Sequence, residues 1–177
     1  MSEQKQNKRV LFTLLGVPWT MTAQTVPFVI TRMALGLIAA WLLLPSETPA
    51  MRVIWGLVYG VLIIGVQVVH TIGHILSSQR VAPPMREVRS LMIGFATLYP
   101  REVAPLPGSV HLTRALGGPI INVLVGIAAL ILSAILGGHV LSFFGAANIL
   151  IALAALLPLP MIDGGVIWRE LGNYLGG

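Results

Sequence analysis

The sequence has no cysteine and only six acidic residues, and charged residues of either sign make up 10% of its 177 positions. Without cysteine there can be no disulfide, no thiolate metal site and no cysteine nucleophile. So few charges cannot cover the surface of a water-soluble globule, where roughly a quarter of residues are usually charged. Hydrophobic residues make up 56% of the chain. These proportions describe an integral membrane protein, with lipid as its surroundings. The formal charge is +5, but the basic residues lie between apolar runs rather than in one patch. They read as topology signals, and no nucleic-acid partner is expected. No internal repeat is visible, and one membrane-embedded domain over residues 1–177 accounts for the length.

A helix needs about 20 apolar residues to cross the hydrocarbon core. Four segments qualify, at about 26–44, 53–79, 116–137 and 139–157. The first carries Arg32, which requires an interfacial or bundle-facing position. Gly137 and Gly138 supply a tight turn between the last two. Lys5, Lys8 and Arg9 precede the first span, and Arg80, Arg86, Arg89, Arg101 and Arg114 fall in the loop at 80–115. The connection at 45–52 has only Arg52, and the 137–138 turn has none. Basic residues recur on one side of an alternating four-span path, which puts both termini and loop 80–115 in the cytoplasm of a bacterial or archaeal plasma membrane. The start, "MSEQKQNKRVLFTLLGVPWT", is basic and then briefly apolar, like a weak signal peptide, but Gly16, Pro18 and Trp19 break the run early. A retained, partly extended segment is the preferred reading.

Within loop 80–115, "REVRSLMIGFATLYP" is β-branched and aromatic enough for one or two short strands. Such a strand could simply dip to the interface. Alternatively, its edge could pair with an extended peptide, because an exposed edge offers unsatisfied backbone groups.

Polar residues inside apolar runs are candidates for function. His70 and His74, in "VHTIGHIL", stand four apart on one helix face, with His70 roughly 15 Å from Arg80 at about 1.5 Å per residue. The pair suits metal ligation, although one histidine could also hold haem or chlorophyll, or only a neighbouring helix. The zinc-protease pattern H-E-x-x-H has glutamate where this chain has Thr71. Asp163, the sole aspartate, follows an apolar run in "LPLPMIDGG". Pro158 and Pro160 stop the helix there, Gly164 and Gly165 free the backbone, and a broken helix at membrane depth is acceptable beside a buried site. Asp163 could instead cap the final helix. His70, His74 and Asp163 are three suitable ligands for zinc, with a fourth position left open. His111 and His139 look incidental. In "ALGGPIINVLVG", Gly117, Gly118 and Pro119 open a span and Asn122 places an amide in it, a pattern that by itself signals close helix packing.

Taken in order, "HTIGH", "GGPIINVL" and "LLPLPMIDGG" resemble the site-2 protease family of intramembrane zinc metalloproteases. That family pairs an H-E-x-x-H helix with a later N-x-x-P-x-P-x-x-D-G-G segment and has a G-P-x-x-N span between them. The start "LLGVPWTM" is similar to the family's opening strand, and "VRSLMIGFATLYP" sits where its membrane-dipping sheet is expected. The resemblance covers nearly the whole chain. It implies a site-2-protease-like helical core with a short membrane-associated β element, and one zinc ion held by His70, His74 and Asp163. It also implies a cleft in which Gly118, Pro119, Asn122, Pro158, Pro160, Gly164 and Gly165 shape the structure or the substrate path. Two positions depart from the pattern. Thr71 replaces the general base, and Ala155 stands where the family has an asparagine expected to orient substrate or intermediate. Zinc alone can lower the pKa of bound water to about 7. Proton transfer to the leaving amine is lost, typically worth about 10²–10⁴-fold. The expectation is therefore a pseudoprotease that binds a transmembrane peptide or a partner membrane protein without cutting it. The alternatives are an active intramembrane protease, or a structural or pigment-binding subunit of a larger membrane complex.

Overall fold

The computed structural model describes residues 9–100 and 105–176. In chain order the elements are β1 (Arg9–Leu14), β2 (Val17–Met21), α1 (Thr25–Leu43), α2 (Pro49–Ser78), β3 (Glu87–Leu91), β4 (Gly94–Leu98), α3 (Gly108–Leu136), α4 (His139–Ala155) and α5 (Asp163–Leu175). They form two compact units, one of residues 1–64 and 85–100, the other of residues 65–84 and 101–177, with α2 running continuously from the first into the second.

In the first unit the four strands pair in the order β1-β2-β3-β4. β1 and β2 are an antiparallel hairpin turning at Leu15 and Gly16, both at positive φ. β2 runs parallel to β3, and β3 returns antiparallel as β4, so β4 is an edge. The strands expected in loop 80–115 are thus a hairpin, and the apolar start of the chain is the other half of its sheet. The first eight residues, on which the signal-peptide reading and Lys5 and Lys8 fall, lie outside the described residues. Helix α1 packs on the first part of α2 through glycines. A Cβ at Gly36 would collide with the backbone of Gly56 and Gly60. Arg32 is buried, and its guanidinium donates to Ile93 O at 2.6 Å and lies 4.7 Å over the Phe28 ring. That packing meets the condition its place in an apolar run imposed.

In the second unit, α3 and α4 form a hairpin through Gly137 and Gly138, whose positive φ values of 75° and 96° suit glycine. Ser133 and Ser142 face each other across that turn at 2.6 Å between hydroxyl oxygens. Two boundaries correct the sequence reading. Helix α3 begins at Gly108 rather than 116, because Pro107 caps it and nothing until Pro119 interrupts it. Pro119 is therefore inside the helix, where its missing N–H removes one backbone bond, and His111 and Arg114 belong to α3 rather than to the loop. Helix α4 stops at Ala155 instead of running to 157, as Pro158 and Pro160 follow.

Helices α1, α2 and α3 are long and apolar enough to cross a membrane, while α4 is a shorter apolar helix of 17 residues. Burial in the helices is inverted relative to a soluble protein. Ala40, Ala115, Ala129 and Ala152 are inside, while Ile30, Leu42, Leu124, Ile135 and Leu150 are exposed. Small residues at helix contacts and large apolar ones outside are the arrangement that lipid favours.

Candidate metal centre

The site is built within the second unit, from the C-terminal part of α2, the first turns of α3 and the start of α5. Helices α2 and α3 approach at backbone distance. A Cβ on Gly73 would strike the carbonyl of Gly117, and one on Gly117 would strike Ser77 and the carbonyl of Gly73. This closeness brings α3 carbonyls within reach of α2 side chains. His74 Nδ1 lies 2.8 Å from Arg114 O, and Ser77 also donates to that oxygen at 3.3 Å. With its Nδ1 proton so held, His74 presents Nε2 for a ligand.

Four residues earlier on the same face, His70 Nε2 lies 3.0 Å from His74 Nε2. Asp163 Oδ2 completes the group, at 3.0 Å from His70 Nε2 and 3.3 Å from His74 Nε2. Asp163 stands in the first turn of α5 with no capping bond, so its carboxylate serves the histidines rather than the helix end. Its position depends on the reversal at Leu156–Ile162, where Pro158 and Pro160 are exposed in an irregular turn. A Cβ on Gly164 would overlap the backbone of Leu156 and Leu157, and one on Gly165 would overlap Leu159 O. The two glycines after the aspartate let α5 begin against that turn. Trp168 ties it further by donating to Leu156 O at 2.8 Å.

Three donors of these types fit a divalent transition metal. Ligand atoms on a tetrahedral zinc ion, with bonds of about 2.0–2.1 Å, are separated by roughly 3.3 Å. The observed 3.0, 3.0 and 3.3 Å are close to that spacing. Gly118 provides the floor. A Cβ there would be 2.5 Å from His74 Nε2 and 2.6 Å from His70 Nε2, so any side chain would fill the space beside the ligand atoms. His70, His74 and Asp163 could therefore hold one metal ion.

Thr71 is 2% exposed, and its hydroxyl donates to Gln67 O at 2.8 Å within α2. Ala155 is the buried last residue of α4 and carries no polar group. Pro119 and Asn122 are buried in α3. His111 and His139 open α3 and α4 and are not in the ligand group. Arg169, and more weakly His111, hold the Glu170 carboxyl below its usual range. Of the loop acids, Glu87 is engaged by Thr20 and Arg89 within the sheet, and Glu102 lies outside the described residues. Sequence reasoning did not find Arg114 O as the partner of His74, since any residue can supply a backbone carbonyl. Gly73, inside "HTIGH", was the available signal for a close helix approach.

No family model matches the sequence, and no curated protein matches it. The structure is similar to that of the Site-2 Protease from Methanocaldococcus jannaschii, with a TM-score of 0.67 and 20% sequence identity over 93% of this chain and 71% of that one. At that identity the likeness concerns the fold: the chain folds as a site-2 protease does, with a His-His-Asp group and with threonine where the H-E-x-x-H pattern has glutamate.

Proposed function

We propose that this chain is a membrane-embedded zinc-binding pseudoprotease, which uses a site-2-protease-like scaffold to hold a transmembrane segment or a partner membrane protein without efficient cleavage. The observation that carries this reading is Thr71. Its hydroxyl is directed to the backbone of its own helix, and with a pKa far above neutrality it cannot act as a general base. Ala155 removes a second polar group of the family pattern. His70, His74 and Asp163 would hold the ion, which when bound supplies Lewis acidity. Four spans, with α4 the fourth and both termini cytoplasmic, are part of the proposal, as the basic residues favour that path. An extended peptide would add to the sheet at β4, which pairs only with β3 among the described residues.

An active but slow protease is the second reading, favoured by the ligand spacing and by the open floor at Gly118. Pigment ligation has less support, because the Nε2 atoms of both histidines are turned to each other and to Asp163 rather than to an open face. The deciding experiment measures zinc per chain in purified protein, His74→Ala and Asp163→Ala, beside cleavage of single-span reporters. About one zinc in the parent, lost in both variants, with no cleavage, supports a pseudoprotease. Cleavage that His74→Ala abolishes would establish the second reading, and no zinc under metal-replete conditions would remove both.

A further inference from the structure

Among the described residues, buried side-chain polar atoms on the facing helices of this site lack a hydrogen-bond partner. They include His70 Nδ1 and both amide atoms of Asn122, a residue 0% exposed. Buried polar groups are rarely left unpaired, so each one calls for an explanation. His74 sets the standard for this site, because its Nδ1 has Arg114 O as acceptor. A histidine that ligates through Nε2 carries its proton on Nδ1 and almost always donates it. His70 lacks that partner.

The helix register places a candidate acceptor on the facing helix. His74 meets Arg114, and a Cβ on Gly118 would lie 2.6 Å from both Nε2 and Cε1 of His70. The two helices run in opposite directions, so one more turn of α3 sets Asn122 opposite Val66–His70. Side chains lean toward the N-terminal end of their helix, which carries the Asn122 amide back toward the level of Gly118. Helix carbonyls point the other way, which carries Arg114 O forward. The two acceptors are thus brought to levels about one turn apart, and His70 and His74 are one turn apart on α2.

We propose that Asn122 is the positioning residue of the metal site: its amide oxygen accepts the Nδ1 proton of His70 and fixes that ring as a ligand. This rests on the reading of His70, His74 and Asp163 as a metal site. The assignment pairs two of these three orphaned atoms with one hydrogen bond, and it needs no ligand to enter a closed part of the bundle.

The test compares the full-length parent, Asn122→Ala, Asn122→Leu and Asn122→Asp in detergent, titrated with zinc against a chelator. Each is also loaded with cobalt(II) for proton spectra of the metal-shifted imidazole N–H groups. Asn122→Ala and Asn122→Leu should weaken zinc by about 10–100-fold, while Asn122→Asp, which keeps an acceptor, should return to within about threefold of the parent. The cobalt parent should show two slowly exchanging N–H signals, and Asn122→Ala should keep only that of His74. Parent-like zinc affinity in Asn122→Ala, or an Asn122→Asp no tighter than Asn122→Ala, would overturn the proposal. So would fast exchange of the His70 proton in the parent itself, a measurement that needs no variant to fold. A parent that binds neither zinc nor cobalt would refute the metal site and this assignment together, whereas a parent that binds metal with Asn122 silent would refute only the assignment.

Discussion

Adding one methyl group at Gly118 should dismantle the metal site while leaving all three ligands in the sequence. The new Cβ would sit 2.5 Å from His74 Nε2 and 2.6 Å from His70 Nε2, against the 3.4 Å at which ordinary van der Waals contact begins. The shortfall is about 0.9 Å on one histidine and about 0.8 Å on the other, on the steep side of the contact potential. The methyl cannot move, because it is fixed to the α3 backbone, so the rings must. Metal sites tolerate roughly ±0.2 Å in ligand distance. A displacement several times larger should lower zinc affinity by at least about 100-fold, or about 2.8 kcal/mol at 1.4 kcal/mol per tenfold. The assay is chelator competition on purified Gly118→Ala, with Gly172→Ala as control. Gly172 is in a helix with nothing near its missing Cβ, so alanine there should leave zinc binding unchanged and favour the helix by about 0.5–1 kcal/mol. If Gly118→Ala binds zinc within about threefold of the parent, the ligand geometry described here is wrong.

Other substitutions separate the parts of this account. Asp163→Asn should cost most of the zinc while the helical circular-dichroism signal persists, since the carboxylate is bound to the two histidines rather than to the helix end; unchanged zinc content would remove Asp163 from the ligand set. Thr71→Glu alone should restore little cleavage of a single-span reporter, because Ala155 is also changed, and rapid cleavage by that single variant would show that Ala155 is not limiting. In the first unit, Arg32→Met removes the donor to Ile93 O and should destabilise the β3–β4 hairpin by about 1–3 kcal/mol. Amide exchange around Ile93 reports it, and unchanged protection there would mean that Arg32 does not hold the hairpin.

The ligand group was legible in the sequence because each member violates the rule of its surroundings. Two histidines one turn apart and a lone aspartate after a broken helix stand out where nearly everything else is apolar, and the structure brings their donor atoms to within 3.3 Å of one another. The early start of α3 was hidden for the opposite reason. "GSVHLTRA" is polar enough to read as loop, yet it is the first part of α3, with Arg114 buried. The second hairpin of the sheet was visible as a strand-forming stretch, but the parallel pairing of β2 with β3 joins segments more than 60 residues apart, at a distance where sequence periodicity carries no information. Asn122 read as packing glue because an amide in a span usually is. That its amide has no hydrogen-bond partner among the described residues could be seen only once the neighbouring atoms were in place.

The His70, His74 and Asp163 group and position 71 differ in how they are held. The ligand geometry is distributed over the backbone: Gly73, Gly117 and Gly118 set the approach of α2 and α3, and Gly164 and Gly165 set the start of α5. A larger residue at any of these five positions would disturb it. The base position is one side chain on an otherwise undisturbed helix turn, and threonine satisfies its own hydroxyl there by bonding Gln67 O. Exchange at residue 71 therefore need not alter the scaffold, whereas a larger residue at any of the five glycines would shift the backbone that brings His70, His74 and Asp163 together. The His70, His74 and Asp163 group thus rests on a backbone frame shared by three helices, whereas position 71 rests on one side chain.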